Sequence, residues 1–317
     1  MSKYCFFFRP LADDLVAPLL ALQFVLFRPR TLVQFLRLGW PRLLTYAVKK
    51  KSNRKERVHI FDAAADFSAD RDSVCLFVHG GAWGSGMPWL YYLTAVGAAR
   101  QCKCSKVMVL EYPTYPDATI LQQADCIIRA LEAIHGGDNP PLRRIFLVGH
   151  SSGANICALA LLELGKRGAR EINLITGFVA LAGVFDVVDH FKFESRRGVA
   201  QFSPMAAAAG GAENYWECSP TLLVKQWSAQ SDRPLASFMP RTLVFHGKRD
   251  VVVPLTSSQL FVQSLRERGV ARVTEVYADQ HDHTDAIYAL AVEPIPGCCL
   301  ADAISKFEEN CAYSERI

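Results

Sequence analysis

The fold of this chain is decided by the stretch Val148-Gly149-His150-Ser151-Ser152-Gly153-Ala154, which lies between a short apolar run and a helical pattern. Two glycines flank Ser151 in the pattern G-x-S-x-G. A turn this tight, leading from a strand into a helix, needs glycine on both sides because larger side chains would collide. The turn leaves the serine on a strained backbone at the edge of a sheet, beside the positive end of a helix dipole. The stretch therefore predicts a nucleophilic serine at position 151.

A second glycine-rich turn follows an earlier predicted strand. It reads Phe77-Val78-His79-Gly80-Gly81-Ala82-Trp83-Gly84 and offers unhindered backbone N–H groups. We expect some of these amides to join the amide of Ser152 in an oxyanion hole, which stabilises the tetrahedral intermediate of acyl transfer. The group predicted to bind the oxyanion and the substrate comprises Gly80, Gly81, Ala82, Trp83, His150 and Ser152. The alternative is a glycine turn without chemistry.

The acid and the base of a catalytic triad are expected after later strands. Asp250 lies in a tight loop that closes at Pro254, where a carboxylate can hold an imidazole in one tautomer. The alternative for Asp250 is a solvated loop residue. His281 and His283 both follow the last predicted strand, and His283 is favoured because a helix begins directly after it.

The remaining histidines carry weaker predictions. We expect His79 to brace the oxyanion loop, and His281 to lie in the lid or behind the site. No partner pattern surrounds the others, which are predicted to be structural: His59, His135, His190 and His246.

From about residue 57 onward, short β-branched runs alternate with helical patterns. This alternation predicts an α/β fold with a mostly parallel central sheet and helices on both faces. The predicted strands are 58–61, 74–78, 106–110, 144–148, 174–181, 242–245 and 272–277, and the predicted helices are 89–101, 118–134, 154–167, 256–268 and 301–311. The irregular, apolar interval 182–240 is predicted to be a lid, because such insertions lie over the carboxyl ends of the strands.

Composition indicates one large domain preceded by a basic extension. The chain has 317 residues, of which 50% are hydrophobic and 21% charged. Residues 1–60 contain twelve Lys or Arg and three acidic residues, a net charge of +9, whereas the rest carries −5. The ten cysteines form no regular framework, so reduced thiols are favoured over disulfides. Cys102 and Cys104 could be half of a metal site, but no second ligand pair accompanies them.

The division predicted is an arm at 1–56 and a catalytic domain at 57–317. The apolar stretch 15–27 would form a helix of about 20 Å, too short for a bilayer core of about 30 Å. The stretch 31–48 has apolar residues at helical spacing, and 49–57 is strongly basic. An apolar face with a basic flank is typical of an interfacial anchor on a membrane. The alternative, that the arm covers an apolar groove of the body, remains open.

Roughly residues 57–292 resemble the prenylcysteine carboxyl methylesterases, a branch of the esterase and lipase group that has the α/β-hydrolase fold. The resemblance rests on His79-Gly80-Gly81-Ala82-Trp83, Tyr112 with Pro116, Gly149-His150-Ser151-Ser152-Gly153-Ala154, Phe245-His246-Gly247 with Asp250 and Val253-Pro254, and His283-Thr284-Asp285. The order serine, acid, histidine is the one this fold requires. The chain departs from the family at Glu111-Tyr112-Pro113, at His150-Ser151-Ser152-Gly153 and in its shortened hydrophobic spans before the catalytic domain.

The resemblance implies a serine esterase acting on the methyl ester of a prenylcysteine, or on a similar small-molecule or prenylated-peptide ester. Alternatives are an amidase like the kynurenine formamidases, a general short-chain carboxylesterase, or an inactive binding protein of this fold. Aromatic residues of the lid suit an apolar tail or simply pack the lid onto the body. No cofactor, metal or nucleic acid is expected as a partner. We expect an intracellular protein, associated with the endoplasmic reticulum or Golgi membrane or else cytoplasmic.

Overall fold

Eight strands form one sheet in the computed structural model, which describes residues 42–49, 55–64, 70–136, 144–227, 233–291 and 299–314. The strands are β1 (Arg42–Lys49), β2 (Lys55–Ala64), β3 (Asp70–Val78), β4 (Cys104–Glu111), β5 (Arg144–His150), β6 (Ile175–Leu181), β7 (Arg241–Gly247) and β8 (Val273–Ala278). Their spatial order is β1-β2-β4-β3-β5-β6-β7-β8. The six strands from β4 to β8 run parallel, and β1 and β2 add an antiparallel edge.

The helices connect these strands. They are α1 (Tyr92–Gln101), α2 (Ile120–His135), α3 (Ser152–Arg167), α4 (Val187–Arg196), α5 (Met205–Ala208), α6 (Pro220–Gln226), α7 (Leu255–Glu267), α8 (Asp285–Ala291) and α9 (Cys299–Ser314). A capping box begins α2, since the Thr119 hydroxyl accepts from the Gln122 amide and the Gln122 side chain accepts from the Thr119 amide. None of the helices in the described part of the chain is long and apolar enough to cross a bilayer.

Helices cover both faces of the sheet because its central strands are apolar on both sides. Val74, Leu76 and Val78 of β3 point into one cluster, which also contains buried residues of α2 and α3. Cys75 and Phe77, which alternate with them, belong to the opposite cluster with residues of α1, α8 and α9. Burying one such side chain contributes roughly 1.5–3 kcal/mol. The predicted fold class, a mostly parallel sheet covered on both faces, is confirmed.

All seven predicted strands and all five predicted helices are present, with small changes at their ends. The prediction of helix for 31–48 is wrong over 42–48, because this segment is most of β1 and pairs antiparallel with β2. The helical spacing of the apolar residues did not decide the conformation, since the neighbouring strand β2 supplies backbone hydrogen-bond partners. Residues 1–41, including the apolar stretch 15–27, lie outside the described residues. The predicted boundary between arm and catalytic domain at residue 56 stays a prediction, although β1 and the start of β2 precede it.

The interval 182–240 follows the carboxyl end of β6 and contains the short helices α4, α5 and α6. Hydrogen bonds tie it to the body. The amide of Phe185 donates to the Ser257 hydroxyl of α7 (2.8 Å), and the side-chain amide of Asn155 in α3 donates to the carbonyls of Val184 (2.8 Å) and Cys218 (2.9 Å). The predicted lid segment is therefore anchored to α3, which begins directly after the predicted nucleophile.

Candidate active site

Ser151 occupies a sharp turn between β5 and α3. Its backbone has φ 54° and ψ −124°, a conformation that L-residues rarely adopt. No side chain fits at the flanking glycines: a Cβ on Gly153 would lie 2.3 Å from the Val78 carbonyl oxygen, and one on Gly149 would lie 2.7 Å from the Ala154 Cα. The amide of Ser151 donates to the Leu181 carbonyl at 2.8 Å. The turn therefore holds the serine rigidly at the carboxyl end of the sheet.

The structure brings Ser151, His283 and Asp250 together. The Nε2 atom of His283 lies 3.0 Å from the Ser151 hydroxyl oxygen, and its Nδ1 atom lies 2.7 Å from Asp250 Oδ2. Because a carboxylate accepts at Nδ1, the proton sits there and the Nε2 lone pair faces the serine. Ser151 is 8% exposed and His283 is 9% exposed. This arrangement can remove a proton from the serine hydroxyl.

Asp250 is held by four donors. Its Oδ1 accepts from the amides of Val252 and Val253, both at 2.8 Å. Burial favours the protonated carboxyl, but hydrogen bonds from His246 and His283 outweigh it and hold the pKa of Asp250 well below its usual range. The carboxylate therefore stays ionised and fixed in direction.

His281 does not reach the serine in this structure. Its carbonyl accepts from the Arg249 amide at 3.0 Å, and its ring meets the Phe245 ring edge-on at 5.7 Å. Of the two candidate histidines, His283 is the one that contacts both Ser151 and Asp250. His281 instead helps to fix the loop that carries His283.

The predicted oxyanion loop lies beside the elbow. A Cβ built on Gly80 would be 3.0 Å from the Ser151 Cβ, and Ala82 has a left-handed φ of 50°. Within the described part of the chain, the amides of Gly81, Ala82 and Ser152 donate to no backbone acceptor. They are the donors that a substrate oxygen could use.

His79 and Tyr112 support this loop through hydrogen bonds to its backbone carbonyls. The Nδ1 atom of His79 donates to the Gly80 carbonyl at 2.9 Å, and the Tyr112 hydroxyl donates to the His79 carbonyl at 2.7 Å. The two rings stack with centroids 4.4 Å apart. Burial lowers the pKa of His79 to about 4, so the ring is neutral near pH 7. The bracing expected of His79 is present.

Trp83 is buried, with 1% of its surface exposed, and faces the protein rather than an open cleft. Its indole N–H donates to Asn155 Oδ1 at 3.2 Å, and its carbonyl accepts from the Gln123 side chain at 2.9 Å. These contacts join the oxyanion loop to α2 and α3. A direct part for Trp83 in substrate binding stays a prediction.

His150 lies between the oxyanion loop and the base. Its Nε2 atom donates to the His283 carbonyl at 3.1 Å, and the two rings are 4.9 Å apart. Burial and the neighbouring His283 lower the pKa of His150 to about 3. A Cβ on Gly80 would be 3.0 Å from its Nδ1. In this structure His150 supports the loop of the base, and a contact with substrate stays a prediction.

His246 belongs to the site, although the sequence led us to classify it as structural. Its Nε2 atom lies 3.2 Å from Asp250 Oδ2, and its Nδ1 atom lies 2.7 Å from the Ser258 hydroxyl of α7. The spacing could have indicated this contact, because His246 precedes the acid by four residues at the end of a strand. The partner Ser258 could not be found that way, since it belongs to another element.

Two aromatic residues of the interval 182–240 are buried. Phe185 stacks on Phe261 of α7 at 4.1 Å and is fully buried, and Tyr215 is 5% exposed. Phe202 is 79% exposed. The packing alternative therefore holds for Phe185, whereas the ring of Tyr215 contacts Phe191 of the same interval.

Within the described residues, the cysteines and other possible metal ligands form no further site. Cys75, Cys102, Cys104, Cys157 and Cys218 are buried free thiols. Burial raises the pKa of the Cys102 and Cys104 thiols, which disfavours the thiolate that binds metal. Among the residues that the structure describes, no three His, Cys, Asp or Glu side chains are grouped to hold a metal ion.

An elbow serine, a histidine and a carboxylate at the carboxyl end of a parallel sheet define a site of the hydrolase type. Residues 75–284 match the model of the alpha/beta hydrolase fold family, and the chain belongs to that family.

Named relatives and solved structures agree with this assignment. The chain is 28% identical over 228 residues to a probable isoprenylcysteine alpha-carbonyl methylesterase of Oryza sativa subsp. japonica (67% of this chain, 51% of the relative). It is 29% identical over 231 residues to the isoprenylcysteine alpha-carbonyl methylesterase of Arabidopsis thaliana (67% and 50%). The chain thus matches about half the length of these relatives.

The fold is also that of solved esterases. The crystal structure of carboxyl esterase 2 from Tuber melanosporum superposes with a TM-score of 0.66 at 18% identity, covering 85% of each chain. A structure from the analysis of two fungal esterases of Rhizomucor miehei gives 0.69 at 16% identity, covering 96% of this chain and 91% of the other.

Proposed function

We propose that this protein is a serine esterase that hydrolyses carboxylic esters through an acyl-enzyme intermediate. The observation that carries the proposal is the position of the His283 ring between Ser151 (3.0 Å) and Asp250 (2.7 Å). An imidazole so oriented activates a hydroxyl as a nucleophile. Kinship with the alpha/beta hydrolase fold family supports the same chemistry.

In acylation, His283 Nε2 takes the proton of Ser151 as its oxygen attacks the ester carbonyl. Asp250 stabilises the imidazolium that forms. The amides of Gly81, Ala82 and Ser152 hold the oxyanion, and losing one such donor raises the barrier by about 3 kcal/mol. The imidazolium then protonates the departing alcohol, which leaves an acyl-enzyme.

In deacylation, a water molecule replaces the alcohol. His283 removes its proton, the resulting oxyanion uses the same three amides, and Ser151 leaves with its proton restored. The acid product departs and the site returns to its starting state. Each proton therefore passes through Nε2 of one histidine.

We further propose that the acyl part is apolar, with the methyl ester of a prenylcysteine as the substrate class. Support comes from the relatives in Oryza sativa and Arabidopsis thaliana, which are named for that activity. A prenyl chain would gain about 0.8 kcal/mol for each buried CH₂ group. The basic residues of 1–60 support contact with an anionic membrane surface, where such substrates reside.

Labelling and a substrate series test the proposal. A fluorophosphonate probe should label the wild-type protein and leave Ser151→Ala unlabelled, with Ser264→Ala, a buried serine of α7 outside the site, as the matched control that keeps its label. A prenylcysteine methyl ester should have a higher kcat/KM than short p-nitrophenyl esters or N-formylkynurenine. Faster turnover of a short ester would reject the substrate class, and an unlabelled wild type would reject the esterase.

Vesicle binding tests the proposed membrane contact of the basic arm. The full chain should bind anionic but not zwitterionic vesicles, and binding to neither would contradict the membrane contact.

A further inference from the structure

The carboxylate of the triad contacts a second histidine. Asp250 Oδ2 lies 2.7 Å from His283 Nδ1 and 3.2 Å from His246 Nε2. The side chains of His246 and Asp250 are both completely buried. Behind His246, the Ser258 hydroxyl lies 2.7 Å from Nδ1. The contacts form a continuous row from Ser258 through His246, Asp250 and His283 to Ser151.

The neighbours of His246 determine which nitrogen carries a proton. Nε2 faces two acceptors, Asp250 Oδ2 and the Val253 carbonyl at 3.0 Å, so it must bear hydrogen. Nδ1 is then able to accept from the Ser258 hydroxyl. The opposite tautomer would point a lone pair at two oxygen atoms. The two acceptors at Nε2 therefore fix the tautomer of His246, and the Ser258 hydroxyl donates to Nδ1 and holds the ring in place.

We propose that His246, oriented by Ser258, is a positioning residue that holds the Asp250 carboxylate against His283. The inference rests on the proposed esterase function and deepens it by adding a contact behind the triad. Val252 and Val253 fix one carboxylate oxygen through their amides, and His246 and His283 share the other. The N–H group of His246 reduces the negative charge that Asp250 Oδ2 presents to His283.

The charged and titratable groups around this row are few. His246 lies at the end of β7 and Asp250 lies in the loop that follows it. His283 is in the loop before α8, and His150 of β5 lies next to it. From α7 the group facing His246 is the uncharged Ser258. Loss of the His246 donor therefore acts on His283 mainly through Asp250.

Replacing His246 by leucine should make the carboxylate a stronger partner for the imidazolium but a less well-oriented one. On the acid side of the pH profile (the acid limb), the midpoint of the fall in kcat/KM should rise by about half a pH unit. The reason is that the Asp250 oxygen facing His283 carries more negative charge once the His246 donor is gone. The kcat should fall about tenfold with KM within about twofold, since looser positioning affects the transition state more than binding.

His246→Gln is the conservative variant, because its side-chain nitrogen can replace Nε2 as donor. It should restore most of kcat and the wild-type acid limb. Ser258→Ala should lower kcat about threefold, because Nδ1 of His246 loses its donor and the ring is held less firmly. Ser264→Ala is the matched control: Ser264 is also buried in α7, but its hydroxyl donates to the Phe261 carbonyl, outside the row.

The experiment measures kcat and KM against pH for the four variants, with folding checked by circular dichroism. A proton NMR readout follows the downfield resonance of the hydrogen bond between His283 and Asp250, which does not need turnover. This resonance should shift in His246→Leu and return in His246→Gln. Folded His246→Leu with an unchanged acid limb and resonance would overturn the inference, and so would a glutamine variant as impaired as leucine. A wild type that hydrolyses no ester would instead reject the proposed function, while the resonance still tests His246.

Discussion

At the scale of single residues, the site depends on which nitrogen or oxygen faces which partner. Ser151 can be a nucleophile because the turn with φ 54° places its hydroxyl 3.0 Å from His283 Nε2. Two other histidines support this ring indirectly, His150 through the His283 carbonyl and His246 through Asp250. The buried ring of His150, with its pKa lowered to about 3, adds no charge near the base at neutral pH.

The two candidate histidines, His281 and His283, should respond very differently to substitution. His283→Asn removes the proton acceptor and should lower kcat/KM by about 10³-fold. His281→Asn leaves the backbone contact with Arg249 in place and should lower kcat/KM less than tenfold. Ester hydrolysis by the two purified variants is the measurement. Equal losses in both would contradict the assignment of the base.

At the scale of elements, one buried side chain of α3 joins three parts of the site. Asn155 accepts from the Trp83 indole of the oxyanion loop and donates to the lid carbonyls of Val184 and Cys218. It is fully buried, so these groups have no water to replace it. The oxyanion loop and the lid therefore share one anchor on the helix that follows the nucleophile.

Asn155→Leu should destabilise the protein and slow the reaction together. It leaves one buried donor and two buried carbonyls without their partner, at about 1–3 kcal/mol for each group. We expect a lower Tm and a reduced kcat, because the oxyanion loop loses one of its attachments. Thermal unfolding and ester hydrolysis check this, with Asn214→Ala as the control, a half-buried asparagine whose side chain donates to the nearby Gly210 carbonyl. A variant with wild-type Tm and kcat would show that the anchor is dispensable.

At the scale of the whole molecule, stability depends on keeping two buried histidines uncharged. The pKa of His79 is lowered to about 4 and that of His150 to about 3, whereas an unfolded histidine titrates near 6.5. Between these values the unfolded chain binds more protons than the native one. Stability therefore rises with pH in this window and is lost as the pH falls from about 6.5. The depressed pKa of Asp250 acts in the same direction at lower pH, because protonation removes its hydrogen bonds as acceptor.

The free energy of unfolding should fall by about 3 kcal/mol between pH 6.5 and pH 5, from the two histidines together. Urea unfolding at a series of pH values measures it. His79→Gln should reduce the slope by about half, because one of the two titrating groups is gone. A free energy that stays level across this range, or an unchanged slope in the variant, would contradict the prediction.

Local patterns in the sequence were sufficient to predict the central strands, the helices between them and the serine of the elbow. Apolar runs on both faces of a strand and glycines at Gly149 and Gly153 act within a few residues of the structure they specify. The antiparallel β1 was missed because its apolar spacing is also compatible with a helix, and only pairing with β2 distinguishes the two.

By itself, the sequence determined the fold class, the nucleophile and the loop that carries the acid. Only the tertiary structure decided which of two neighbouring histidines meets Ser151, that His246 contacts the same carboxylate, and that Trp83 and His150 face supporting partners. The physical reason is distance along the chain. Ser151 and His283 are 132 residues apart, so their contact depends on how several strands and loops pack together, which no short pattern encodes.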